Sequence, residues 1–235
     1  MSLGFTFKNI TSASKGVIVT EPPQITHAEQ IRDVYDIPGR NGRLYGADVY
    51  RGDARIIIKM ALVVSDAAAS NYQTARRAVE QWLQGDGKLA IGDTSDSYYK
   101  VKQVDITNDQ RRVVHYGNIE ANFIIEPYEY LTSGDAGLTS YSTITNPGDE
   151  ACPLYKISGS GSGTLTVNNK SVAYTSTGTL YLDTKNMIAY DGQNVNKSAN
   201  VTGNYSGLRL KNGNNSVAIT GGTTLTVYPH WGFNL

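Results

Sequence analysis

Apolar residues recur along the chain at two spacings, and the shorter one dominates. Leu3, Phe5 and Phe7 alternate with Gly4, Thr6 and Lys8, and Gly16-Val-Ile-Val-Thr20 follows a Ser-rich turn, which predicts two short strands. From Arg55 to Val64, Ile56, Ile58, Met60, Leu62 and Val64 fall on one face and Ile57, Ala61 and Val63 on the other, so this strand is expected to be covered on both sides. Clear helical spacing occurs in one segment. With Ser70 as N-cap, Tyr72, Ala75, Val79, Trp82 and Leu83 fall at i, i+3, i+7, i+10 and i+11, and Gly85 closes the segment. Arg76, Arg77, Glu80 and Gln81 lie off that stripe. From Arg112 to Glu126 the sequence alternates again, with Val113, His115, Ile119, Ala121, Phe123 and Ile125 on one side and Tyr116, Asn118, Glu120, Asn122 and Glu126 on the other. A strand of that length suits a sandwich that continues into a protruding hairpin.

Beyond residue 130 the unit of pattern becomes smaller. Leu165/Val167, Val172/Tyr174, Leu180/Leu182, Leu208/Leu210, Val217/Ile219 and Leu225/Val227 each set two apolar side chains two residues apart, which predicts a β-sandwich. Asn168-Asn169 and Gly221-Gly222 suit primed hairpin turns, which need positive φ. The period is too irregular for a solenoid.

Composition sharpens the division. A chain of 235 residues holds one large or two small domains, and charge argues for two: up to Tyr130 there are 15 Lys+Arg and 16 Asp+Glu, leaving 6 and 5 beyond it. Leu131 to Asn146 is rich in turn formers and reads as a connector, part of which can pair as an edge strand. The expected domains are therefore 1–130 and 146–235, joined by a linker at 131–145. With 24 Gly, 16 Tyr and only 18% charged residues, the class expected is mainly β, with one helix.

A net charge of zero offers none of the basic excess that phosphate backbones demand, so no nucleic-acid partner is expected. The longest apolar run, Ile56 to Val64, is interrupted by Lys59 and falls short of the ~18 residues of a membrane span, so no membrane partner is expected either. The opening residues have neither a basic n-region nor an apolar h-region, and the one cysteine, Cys152, cannot form an internal disulfide. The expectation is a protein not secreted by a signal peptide.

Candidate chemistry does not assemble into a site, so no catalytic, cofactor-binding or metal-binding residues are expected, and no enzyme. His27, His115 and His230 have no ligand partners at i+3 or i+4, and His115 lies on an apolar stripe. Ser12-Ala-Ser-Lys15 matches a Ser-x-x-Lys tetrad but sits in a turn between strands, without companion motifs. Gly159, Gly161 and Gly163 precede a strand instead of a helix N-terminus, so they read as a flexible turn and not a phosphate loop. Asp191-Gly-Gln-Asn misses the EF-hand ligand order. Arg51-Gly-Asp53 reads as a surface turn, Cys152 as a small buried thiol, and the sequons at Asn9, Asn169, Asn196, Asn200, Asn204 and Asn214 as products of an Asn/Ser/Thr-rich composition. Tyr228 and Trp231 are the carbohydrate or partner-docking candidates, because an exposed aromatic on a β-sandwich stacks on sugars or anchors interfaces; otherwise they complete the core beside Phe233. Pro38-Gly-Arg-Asn-Gly42 predicts a rigid turn that holds Arg40 for a specific contact, within the subunit or across an interface.

Several stretches together resemble the distal tail (Dit-like) proteins of long-tailed, non-contractile phages and prophages. In the first domain these are Phe5-Thr-Phe-Lys-Asn-Ile10, Tyr35-Asp-Ile-Pro-Gly-Arg-Asn-Gly42, the strand Ile56 to Val64 with the helix ending Trp82-Leu83, and Phe123-Ile-Ile-Glu-Pro-Tyr128. In the second they are Asn146-Pro-Gly148 with Pro153, Ile157-Ser-Gly-Ser-Gly161, Leu165-Thr-Val-Asn-Asn-Lys170, Leu180-Tyr-Leu-Asp183 with Ala189-Tyr190, and Leu210-Lys-Asn-Gly-Asn-Asn-Ser-Val217. The resemblance implies an N-terminal β-sandwich-like domain with one α-helix and a long hairpin, followed by a C-terminal galectin-like β-sandwich. It implies a virion structural protein of the tail tip, assembled in the bacterial host cytoplasm as a homohexameric ring. Its implied partners are the tail tube protein, the tail-associated hub or lysin protein, and receptor-binding or baseplate proteins. Arg40, Asn41, His115 and Tyr116 are the corresponding ring-interface candidates. Some members insert a carbohydrate-binding module, for which 235 residues leave no room. The alternative function is a free-standing carbohydrate-binding or adhesion module for host cell-surface sugars, distinguished by assembly state because a hub must close a ring.

Overall fold

The computed structural model describes residues 4–64, 72–92, 96–113, 116–139 and 142–235. They adopt a mainly β fold with one α-helix, as expected, in two compact units: residues 1–129 with Leu235, and residues 130–234.

The first unit runs β1 (Phe5–Phe7), β2 (Ile10–Thr11), β3 (Val17–Val19), β4 (Gln24–Thr26), β5 (Gln30–Tyr35), β6 (Leu44–Arg51), β7 (Ala54–Val63), α1 (Tyr72–Leu83), β8 (Gly87–Ile91), β9 (Ser97–Val113) and β10 (Tyr116–Leu131). Its main sheet has the order β2-β1-β8-β9-β10-β7-β3, and β4 pairs directly with β7, at Arg55 to Ile57, where β3 pairs at Met60 to Leu62. β5 and β6 form a two-stranded sheet of their own.

Alternation explains the core. On β10, Ile119, Ala121, Phe123 and Ile125 are buried, and on β7 the antiparallel register sets Met60, Ile58 and Ile56 opposite the first three. The helix closes this face with Tyr72, Val79, Trp82 and Leu83, the residues its periodicity selects, while its expected N-cap, Ser70, lies outside the described residues. Trp82 stacks on Phe5 at 5.4 Å and donates its indole N–H to the Phe7 carbonyl at 3.0 Å, and Phe123 meets both phenylalanines edge-on. Each such fully buried aromatic contributes about 1.5–3 kcal/mol relative to an exposed one. Leu235 completes the cluster, its N–H donating to the Pro127 carbonyl at 3.1 Å and its main-chain oxygen accepting from Arg51 at 2.7 Å.

Two strand expectations need correction. The alternation from Arg112 to Glu126 is divided between two strands: Arg112 and Val113 end β9, and Tyr116 begins β10. β9 and β10 are neighbours in the sheet, and the period-two pattern runs on from one into the other, so nothing in it marks where β9 ends. The β7 strand is covered fully on one face only: Ile57 and Lys59 on the other are half-buried and Val63 is exposed.

The second unit contains β11 (Thr143–Asn146), β12 (Leu154–Val167), β13 (Lys170–Asp183), β14 (Ile188–Asp191), β15 (Val201–Thr202), β16 (Gly213–Ile219), β17 (Thr224–Tyr228) and β18 (Gly232–Asn234). Its backbone order is β11-β16-β12-β13-β14, with β17 also on β12 and β15 on β13. β12 and β13 pair without interruption from Leu154–Asp183 to Val167–Lys170, and Asn168 and Asn169 close them with φ of 47° and 65°.

The Ser-Gly repeat at 158–163 is not a flexible turn but the middle of β12. There the strand changes its second partner, from β17 at Leu154–Ser158 to β16 at Leu165–Val167. Another backbone crosses at this point: a Cβ at Gly161 would lie 2.6 Å from the Gly221 carbonyl oxygen, and one at Gly163 would collide with the Thr220 carbonyl. Glycine is required by close approach, not by chain reversal. The six apolar pairs face one core, although Leu208 and Leu210 reach it from a short 3-10 turn and a bridge instead of a strand. Most of the 131–145 stretch is also built into this unit. Leu138 exchanges both main-chain hydrogen bonds with Val227, His230 N–H donates to the Gly134 carbonyl, and Thr143–Asn146 pairs with β16.

Candidate assembly surface

The feature of the first unit that its own packing does not explain is the β5–β6 hairpin. Every residue of β5 is exposed, yet Ile31, Val34 and Tyr35 face Tyr50, Tyr45 and Leu44 across the ladder, and Arg32 faces Val49. Successive strand residues point to opposite faces, so the Ile31–Tyr50 and Arg32–Val49 pairs put apolar side chains on both faces of the ribbon. Tyr35, Tyr45 and Tyr50 are 53%, 58% and 62% exposed. A two-stranded ribbon is marginal by itself, and exposed clusters of tyrosine and aliphatic side chains mark interaction sites. The sequence signal was Pro-Gly-Arg-Asn-Gly between two β-prone runs; the turn was legible, the hairpin around it was missed.

At the tip, the Arg40 N–H donates to the Ile37 carbonyl at 3.1 Å, and Gly39 and Gly42 take φ of 82° and 86°. Arg43 pairs with Asp36 at 3.3 Å, whereas the exposed Arg40 guanidinium has no hydrogen bond or ion pair among the described residues. Asn41 beside it is also exposed. Tyr116 lies elsewhere in the unit, half-buried at the start of β10 opposite Val63. His115 lies outside the described residues.

The same unit carries a polar cleft of about 230 Å³ between the chain leaving β3 and strands β7, β9 and β10. Two carboxylates, Glu21 and Glu120, share it with one ammonium, Lys59. Lys59 Nζ donates to Glu21 Oε2 at 2.9 Å; that bond and the Glu21 charge hold the ammonium above the ordinary lysine range, with a smaller contribution from Glu120. Glu120 Oε1 accepts from Thr107 at 3.0 Å. Asn118 Oδ1, also in the cleft wall, receives no hydrogen bond.

In the second unit, Trp231 is 8% exposed and belongs to the core, and Phe233, expected beside it there, is exposed. Tyr228 is half-buried on the outer face of the sheet, opposite Leu154. That face also holds an aromatic pair absent from the sequence expectations, Tyr181 and Tyr190, stacked at 5.2 Å. Lys156 Nζ lies 5.9 Å from the Tyr181 ring on the side of β12. Both faces of Tyr181 are thus engaged by neighbours in its own sheet. Cys152 is half-buried, and burial raises its thiol pKa. Ser12 is buried and accepts from the Phe5 N–H, a structural role. Among the described residues no group of three His, Cys, Asp or Glu side chains is arranged to hold a metal ion, and no helix is long and apolar enough to cross a membrane.

No protein-family model matches the chain, and no curated protein sequence does. Solved structures do. The Dit protein of phage SPP1, described as a paradigm of the hub of the adsorption apparatus in phages infecting Gram-positive bacteria, aligns with a TM-score of 0.71 over 97% of both chains at 10% identity. The chain has the Dit fold. A component of the phage P2 baseplate in its Ca-activated conformation aligns with a TM-score of 0.51, again over 97% of both chains, at 11% identity. The alignment with the SPP1 Dit protein runs through both units.

Proposed function

We propose that this protein is a distal tail protein of a phage or prophage, a structural component of the virion tail tip. Six copies close a ring through the first unit, joining the tail tube to the baseplate or host-adsorption device. The second unit is the outward platform for receptor-binding or baseplate proteins, and the tail-associated hub protein meets the ring on the side away from the tube. Assembly takes place in the host cytoplasm. The observation that carries the ring is the β5–β6 hairpin, whose two apolar faces need cover that its own unit does not supply. A subunit in a ring has a neighbour on either side, and a ribbon apolar on both faces suits that arrangement. The fold shared with SPP1 Dit over the full chain supports the reading. Such a role rests on area and symmetry, so no catalytic residue, metal or cofactor is assigned. The carbohydrate-binding alternative loses its principal support, because the Trp231 ring is in the core.

Mass measurement in solution, paired with negative-stain images, tests the proposal. The expected result is a particle of six 25.5 kDa chains with a central opening. A protein that stays monomeric at every concentration overturns the ring.

A further inference from the structure

A heterologous ring contact needs two different surfaces on one subunit, each complementary to the other. The hairpin tip supplies one: with Arg43 paired to Asp36, the exposed Arg40 guanidinium is a set of five N–H donors without a partner among the described residues of its own chain, carried on a hydrogen-bonded turn. The cleft supplies the opposite surplus. Its two carboxylates face a single ammonium already committed to Glu21, and Glu120 holds accepting capacity beyond its bond from Thr107.

We infer that Arg40 of one copy of this chain docks in the cleft of the next, with Glu120 as its counter-charge and the Asn108 amide as a further partner. The occupant is a second copy because the unmatched cation and the unmatched acceptors belong to the same chain, yet Arg40 reaches no acceptor within it. The planar guanidinium fork is the donor suited to a carboxylate beside an amide, and lysine would not replace it. This contact rests on the ring reading and specifies which residues carry it.

Charge exchange on the full-length chain is the test, read by analytical ultracentrifugation alongside thermal melts. Arg40→Glu and Glu120→Arg, each alone, should weaken association by about tenfold or more, as for other hydrogen-bonded charge pairs at interfaces. The double variant should restore assembly, and Arg40→Lys should not match the wild type. Glu120→Gln, which keeps the bond from Thr107, should weaken assembly with its melting temperature unchanged. Assembly of both single charge-reversal variants at wild-type strength overturns the contact while leaving the ring intact. So does failure of the double variant to recover when all variants melt like wild type. A wild-type chain that never assembles overturns the ring, and this contact with it.

Discussion

Trp231 donates its indole N–H to the Ser133 hydroxyl at 3.0 Å. The bond joins the last turn of the second unit to the 3-10 turn that opens it, and the Leu131 N–H donates to the Trp231 carbonyl at 3.0 Å beside it. A buried tryptophan tied through both its indole and its main chain is part of the packing. Trp231→Ala should therefore destabilise the unit by about 3–5 kcal/mol through the cavity it leaves. Ser133→Ala should cost about 1 kcal/mol, the net value of one hydrogen bond. Urea denaturation measures both, and titration with host wall polysaccharide fragments should detect no saturable binding to the wild type. Saturable binding that Trp231→Ala abolishes without a change in stability would restore the lectin reading.

What the sequence disclosed follows from which interactions are local. The helix and the buried faces of β7 and β10 were legible because period alone selects Val79, Trp82, Ile58 and Phe123. The Asn168-Asn169 turn was legible because positive φ has few tolerable residues. The division between β9 and β10 was hidden because the alternation continues from one strand into the next. The cleft was hidden for another reason: Glu21, Lys59, Asn108 and Glu120 come from four separate segments, and only strand register brings them together. The hairpin violates the rule by which sequence is read, since its apolar residues are outside.

The Ser-Gly run is a packing device, and Gly163 has the least clearance in it. At Gly163 a methyl group would meet the Thr220 carbonyl and the Tyr174 hydroxyl, whereas Gly192 has open space around its Cβ position. Gly163→Ala should cost at least about 1–3 kcal/mol as overpacking forces strands apart. Gly192→Ala should stay within about 0.5 kcal/mol. Thermal melts of the two variants make the comparison directly.

Tyr99 gives the first unit an alkaline signature. Burial beneath the sheet, with a smaller contribution from the Glu129 charge, pushes its phenol up to about 12 from an ordinary value of 10.0. The folded state thus holds this proton more tightly than the unfolded state does. Its contribution is fully present below the unfolded value and is lost as pH rises through the folded one, so stability should fall between about pH 10 and 12. Tyr99→Phe should flatten that slope. Denaturant midpoints measured across the interval, with ultraviolet absorbance following phenolate formation, check the assignment; equal slopes in both proteins would refute it.

Two Asn-Gly steps occur in settings that should age differently. Succinimide formation requires the Gly main-chain nitrogen to attack the Asn Cγ, expelling ammonia, after which water opens the ring to aspartate or isoaspartate. Asn212 resists that geometry: its carboxamide donates to the Gly148 carbonyl at 2.7 Å, and Gly213 is paired in β16 opposite Asn146. Asn41 is exposed at the hairpin tip, its side chain and the Gly42 N–H make no hydrogen bond among the described residues, and nothing stands within 4 Å of the Gly42 Cβ position. Peptide mapping of warmed, unassembled protein should find conversion at Asn41 well before Asn212. The product carries a new negative charge next to Arg40, so aged subunits should assemble more weakly than fresh ones, and Asn41→Ser should remove the age dependence. Equal conversion at both sites would show that the fold does not protect Asn212. Unchanged assembly after full conversion at Asn41 would separate the tip from the subunit contact.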